Sequence, residues 1–80
     1  MTVPSGDVRA LVEQIAKSLV DEPDQVSVTQ LDGDVLELTV APNDVGKVIG
    51  AKGRVARALR ALIGAAGVRL NKRFTLEILE

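Results

Sequence analysis

The chain has no cysteine and no histidine. Without cysteine there can be neither disulfides nor thiolate zinc sites. Without histidine the commonest general base and the commonest metal ligand are both missing. Tyrosine and tryptophan are absent too, which leaves Phe74 as the only aromatic side chain. No serine stands in a nucleophile context, and no pair of acids stands out as a metal site or a catalytic dyad. The expectation is a non-enzyme with no metal and no small-molecule cofactor. Long apolar runs are lacking as well. The longest, residues 61–68, has eight residues and two glycines, far too few to span a bilayer. The N-terminus lacks the basic-then-apolar pattern of a signal peptide. The cytoplasm is therefore the expected location, with no membrane role.

What is present is ordinary in bulk and uneven in detail. Eighty residues with 46% hydrophobic and 26% charged describe one globular domain, not a disordered chain. The net charge of −1 conceals a strong polarity. Residues 45–73 hold no acid but eight cations: Lys47, Lys52, Arg54, Arg57, Arg60, Arg69, Lys72 and Arg73. Residues 1–44 hold nine acids against Arg9 and Lys17, and Glu77 and Glu80 close the chain. A basic segment of this kind suits a polyanion backbone, nucleic acid above all. The acids of the first half read mostly as a solvated face.

Hydrophobic periodicity organises the rest. Val8, Leu11, Val12, Ile15, Ala16, Leu19 and Val20 recur at helical steps, with Ser5 or Asp7 as cap. Residues 25–31 alternate and are β-branched, so they predict a strand. Asp32-Gly33 signals a tight hairpin. Residues 34–40 make a second strand with Leu36, Leu38 and Val40 on one face. Ala41-Pro42-Asn43-Asp44 breaks it and offers caps for a short helix, Val45 to Ile49. Gly50 to Gly53 interrupts. A longer helix follows from Arg54 to about Ala65, with Val55, Leu59, Leu62 and Ala66 inward and Gly67 as a left-handed cap. Arg69 to Arg73 reads as a basic loop. Phe74 to Leu79 is the last strand, with Phe74, Leu76 and Ile78 inward. The order is α-β-β-α-α-β. It implies an α+β two-layer sandwich, a three-stranded mixed sheet with helices on one face. The last strand follows a helical crossover, which allows a parallel pairing.

The glycine corner between the two later helices carries the chemistry. A helix starting there turns its first unpaired N–H groups outward, and its dipole adds partial positive charge. Gly50 and Gly53 permit a sharp turn and close approach of a ligand to the backbone. Lys52 adds a full charge between them. Such a corner can hold a sugar-phosphate strand. Other glycine motifs fail on spacing: Gly46, Gly50 and Gly53 do not match G-x-G-x-x-G, and no Walker string exists.

Val48-Ile49-Gly50-Ala51-Lys52-Gly53-Arg54 resembles the V-I-G-x-x-G signature of KH domains. The element order is similar to the type II arrangement. Val40-Ala41-Pro42 followed by Asp44 to Gly50 resembles the small single-domain bacterial KH proteins, the KhpA-like family. The resemblance spans nearly the whole chain. It implies one KH domain over residues 1–80, with an ordered core of about 7–79. It also implies single-stranded RNA clamped over about four nucleotides by the G-x-x-G loop, often with a second KH-containing protein as partner. A post-transcriptional regulator or RNA chaperone is the expected role.

Within that frame the expected RNA-binding residues are Lys47, Ile49, Gly50, Ala51, Lys52, Gly53, Arg54 and Arg57. Lys52 is the foremost phosphate contact, and Arg54 follows at the helix start. Arg57 comes next, and Arg60 contributes a general field or serves as a salt-bridge partner. Arg69, Lys72 and Arg73 either form an outer rim or simply keep an exposed loop soluble, the second reading being favoured. In KH domains an apolar groove beside the loop accepts bases; Ile49 would help form it with a strand residue such as Leu38. Lack of aromatic stacking partners separates this mode from RRM and many OB-fold binders. The rival reading is a protein-interaction or dimerisation module, with RNA contact secondary or partner-supplied. Its basis is the alanine-rich third helix, where Ala56, Ala58, Ala61, Ala65 and Ala66 permit close helix approach.

Overall fold

The computed structural model describes residues 7–80. Helix α1 spans Val8–Leu19 and strands β1 and β2 span Ser27–Leu31 and Val35–Thr39. Helices α2 and α3 span Val45–Ile49 and Arg54–Leu70, and β3 spans Thr75–Ile78. The sheet order is β1-β2-β3, with β1 antiparallel and β3 parallel to the central β2. The mixed three-stranded sheet and the element order are those the periodicity predicts.

Helix α1 starts where Asp7 accepts the Ala10 N–H at 2.9 Å, a side-chain cap. The alternative cap, Ser5, lies outside the described residues. Val8, Val12 and Ala16 form its buried stripe. On its outer side Glu13 meets Arg9 at 2.7 Å and Lys17 at 3.3 Å, each one turn away. The two hydrogen bonds, Arg9's first, hold the Glu13 carboxyl below its usual range. β2 supplies the centre of the core: Leu36 and Leu38 are fully buried and meet Val12, Val48, Leu59, Ile63 and Leu76 in one cluster.

Several boundaries differ from the sequence expectation. Pro23–Gln25 is a 3-10 turn, so β1 begins at Ser27. Leu31 pairs with Val35, which makes the hairpin loop three residues long. Gly33 and Asp34 both take positive φ, +79° and +59°, a region that glycine and aspartate enter more readily than most residues. Asp44 caps nothing on α2.

The largest difference is in α3. It runs through Gly64 and Gly67 to Leu70, and the left-handed residue that ends it is Asn71, φ +56°. Asn71 N–H reaches Val68 O at 3.3 Å and Lys72 N–H reaches Gly67 O at 2.8 Å, which is a Schellman closure. Gly67 is needed for packing and not as a cap. A Cβ there would stand 2.5 Å from the Lys72 carbonyl oxygen. The inward residues are Ala56, Leu59, Ile63 and Gly67. Leu62, expected inside, is 50% exposed, and Ile63 takes its place at 1%.

Candidate nucleic-acid interface

Helices α2 and α3 pack side by side, and the corner joining them is built by backbone chemistry. Gly50 has φ +79°, a region glycine enters freely. A Cβ on Gly50 would lie 2.6 Å from Val55 Cγ2 and 2.8 Å from Val55 N. The position therefore tolerates no side chain, since the corner folds directly onto the first turn of α3. Gly53 N–H closes the turn on Gly50 O at 3.0 Å. Gly53 itself is left-handed, φ +75°, and between the glycines Lys52 sits at φ +56°. A non-glycine residue there is strained by about 1–3 kcal/mol. The Arg57 guanidinium donates to the Lys52 carbonyl oxygen at 2.9 Å, which holds that strained peptide in place.

No side chain caps α3 and no acid lies in its first turn. The positive end of a 17-residue helix is thus left to whatever anion approaches. Ala51, Lys52 and Arg54 are exposed. Among the described residues neither Lys52 nor Arg54 makes an ion pair or a side-chain hydrogen bond.

Lys47 is arranged differently. Its Nζ donates to Asp44 Oδ1 at 2.9 Å and lies 3.2 Å from Asp21 Oδ2. Asp44 is buried and also accepts the N–H groups of Asp21 at 3.2 Å and Glu22 at 3.0 Å. The hydrogen bond from Lys47, helped by those two N–H groups, holds the Asp44 carboxyl below its usual range against burial. Asp44 and then Asp21 raise the Lys47 ammonium. Lys47 and Asp44 thus clasp α2 to the segment after α1, and two carboxylates already answer the lysine's charge.

Beside the corner runs a groove of about 270 Å3. Ile49 of α2, Ala56 of α3 and Ile78 of β3 supply its apolar surface, while Arg57 and Arg60 of α3 line it with charge. Gly53 and Glu80 complete it. The strand that borders the groove is β3, at the sheet edge. Leu38, the strand residue expected there, lies on central β2 and is fully buried. Arg60, expected to supply a general field or a salt bridge, lines the groove and donates to the Leu76 carbonyl at 3.2 Å. The main-chain N–H of Thr75 goes to the Asp34 carbonyl, just before β2, and that of Leu79 to Leu38 of β2, so the alternation of a parallel ladder turns those of Leu76 and Ile78 to the free edge. The groove can therefore offer apolar contact, two guanidinium groups and a strand edge with donor and acceptor.

Of the expected residues, Ile49, Gly53 and Arg57 line the groove, and Gly50, Ala51, Lys52 and Arg54 form the corner next to it. Lys47 faces acids of its own chain. Ala56, Arg60 and Ile78 escaped sequence reasoning. The steps 53, 56, 57, 60 hold a helical signal for the first two; the edge position of Ile78 depends on strand order.

Among the described residues no group of acids could hold a metal ion, and no helix is long and apolar enough to cross a membrane.

Comparison with known proteins extends this geometry. A family profile described as KhpA/KhpB, KH domain matches residues 9–78. The chain is 53% identical over 75 residues to the RNA-binding protein KhpA of Clostridium acetobutylicum, covering 90% of this chain and 100% of that one. It is 47% identical over 78 residues to the RNA-binding protein KhpA of Borreliella burgdorferi, covering 94% and 95%. The protein of the same name from Aquifex aeolicus is 50% identical over 76 residues, covering 91% and 96%.

Proposed function

The chain belongs to the KhpA/KhpB KH-domain family, and from that premise we propose that it is a non-catalytic RNA-binding protein that holds single-stranded RNA at the glycine corner. Residues 1–80 act as one KH domain. The main-chain N–H groups of Ala51 and Lys52, with the side chains of Lys52 and Arg54, receive phosphates. Bases enter the groove between Ile49, Ala56 and Ile78, within reach of Arg57, Arg60 and the β3 edge. The observation that carries this reading is the uncapped start of α3, with two unpaired cations beside an apolar groove. Lys47 takes a structural part, because Asp44 and Asp21 occupy it. The setting is the cytoplasm, and the role is that of a post-transcriptional regulator or RNA chaperone.

The test replaces Ala51 and Lys52 together by Asp. Both side chains are exposed, so the variant should keep its circular dichroism spectrum and melting curve. RNA affinity should fall by at least about tenfold, since two negative charges enter where a phosphate docks, a change of roughly 1.4 kcal/mol or more. Undiminished binding by a folded variant overturns the reading.

A footprint of about four nucleotides is small for one copy, so a second module raises useful affinity through effective concentration. The partner is a second copy or another KH-containing protein. The outer face of α3 favours it: Ala58, Ala61, Leu62 and Ala65 are all exposed and recur at helical steps. Light scattering during size exclusion, with and without RNA at two salt concentrations, separates the roles. Salt-insensitive self-association without any RNA-dependent shift would favour an interaction module over an RNA binder.

A further inference from the structure

Two hollows open along α3, the groove described above and a larger one of about 480 Å3 at the other end of the helix. Gly64, Gly67, Val68, Phe74, Lys72 and Arg73 border the second, together with Asn71. Both lie on one face of the helix. Their lining positions 53, 56, 57, 60, 64, 67, 68 and 71 follow steps of three and four, a single stripe. β3 runs back along that stripe. Phe74 lies against Gly67, the Leu76 carbonyl meets Arg60, and Ile78 ends beside Ala56. The crease between α3 and β3 thus runs past both hollows, over roughly 25 Å at about 1.5 Å per helical residue.

Gly64 borders the far hollow on the side nearer the groove. It is exposed, and a Cβ there would meet nothing within 4 Å. Glycine inside a helix is unfavourable relative to alanine, and no packing contact here demands it. Bare backbone at this point leaves room for a ligand to pass close to the helix. The far hollow carries the charge to hold one. Among the described residues neither Lys72 nor Arg73 makes an ion pair or a side-chain hydrogen bond. The carbonyls of Gly67 and Val68, which would repel an anion, are tied off by Lys72 N–H and Asn71 N–H. Arg69, by contrast, points roughly 140° round the helix from Gly64 and borders neither hollow.

Building on the RNA reading above, we propose that the α3–β3 crease is one continuous track for single-stranded RNA, in which the hollow ringed by Lys72 and Arg73 takes the nucleotides beyond those held at the glycine corner. The strand passes over Gly64, and Val68 and Phe74 give its bases an apolar surface. The footprint is then longer than the loop and groove alone allow.

Oligouridylates of about four nucleotides and of twice that length test this with the full chain by fluorescence anisotropy across a salt series. The longer oligomer should bind more tightly, with a log K–log salt slope steeper by about 1.4, two phosphates at about 0.7 each. Lys72→Ala with Arg73→Ala should return the longer oligomer to the affinity and slope of the shorter one, and leave the shorter unchanged. Gly64→Ala should raise the thermal midpoint yet weaken the longer oligomer severalfold, an opposition that a purely structural glycine does not produce. Arg69→Ala is the control for charge alone and should leave both oligomers alike. The track is refuted if the double variant weakens both lengths equally, if Arg69→Ala matches it, or if the longer oligomer gains no slope. Should the short oligomer fail to bind the native chain, the corner reading fails separately. The track is then judged by whether the longer oligomer depends on Lys72 and Arg73.

Discussion

Asp44 illustrates how much a single buried carboxylate can organise. It is the one buried charged side chain among the described residues, and it joins the segment after α1 to the start of α2. Its folded pKa is depressed, chiefly by the Lys47 hydrogen bond. Its contribution to stability is therefore present above the unfolded value of about 3.9 and is lost as pH falls through the lower folded value. Lys47 runs the other way. Its raised pKa keeps its contribution intact below the unfolded value of about 10.4 and loses it as pH rises through the folded one. Asp44→Asn should melt at a lower temperature than the native chain at pH 7, and the gap should narrow between about pH 4 and pH 2. Melting curves followed by circular dichroism over that range check this; a gap independent of pH would count against the clasp. Glu13, also depressed, leaves part of the acid sensitivity in the variant. None of this was legible in the string Ala41-Pro42-Asn43-Asp44, which signals a break and a cap. Besides Lys47, Asp44's partners stand 22 and 23 residues away.

At the scale of elements, α3 shows where periodicity succeeds and where it slips. The helix and its amphipathic character follow from spacing alone. Its phase does not, because the inward face carries Ala56 and Gly67, which weigh little on any hydropathy scale, and the outward face carries Leu62. Ile63→Ala should destabilise the fold by about 2–5 kcal/mol through loss of contacts and a cavity. Leu62→Ala should cost under about 0.5 kcal/mol in the monomer. Denaturant titration of both variants measures the difference, and equal losses would reverse the assigned faces. The end of the helix slipped for a related reason. Gly67 has the composition of a cap, but its missing Cβ serves the close passage of the Lys72 backbone, and Asn71 is left to adopt the left-handed turn.

For the whole molecule, charge separation is the dominant feature. The cations of residues 45–73 occupy α2, the corner, α3 and the loop after it. Acids lie in the loops after α1 and between β1 and β2, and Glu37 pairs with Glu77 across the sheet. Neutralising about four phosphates should make log K fall with log salt at a slope near −3, at about −0.7 per phosphate for single strands. Titration of a 5′-phosphorylated four-nucleotide RNA over a salt series gives that slope, and a value near zero would remove the electrostatic basis of the corner. Sequence alone determined the element order, the mixed sheet, the glycine corner and the basic segment around it, because each is a local pattern read within a few residues or one helical turn. Only the tertiary structure decided that β3 and not β2 borders the groove, that Arg60 enters it while Lys47 turns to Asp44, and that Gly64 and Phe74 lie along the same crease. Those outcomes depend on strand order and on the phase of one helix against the sheet, which are set by packing between segments distant in the chain.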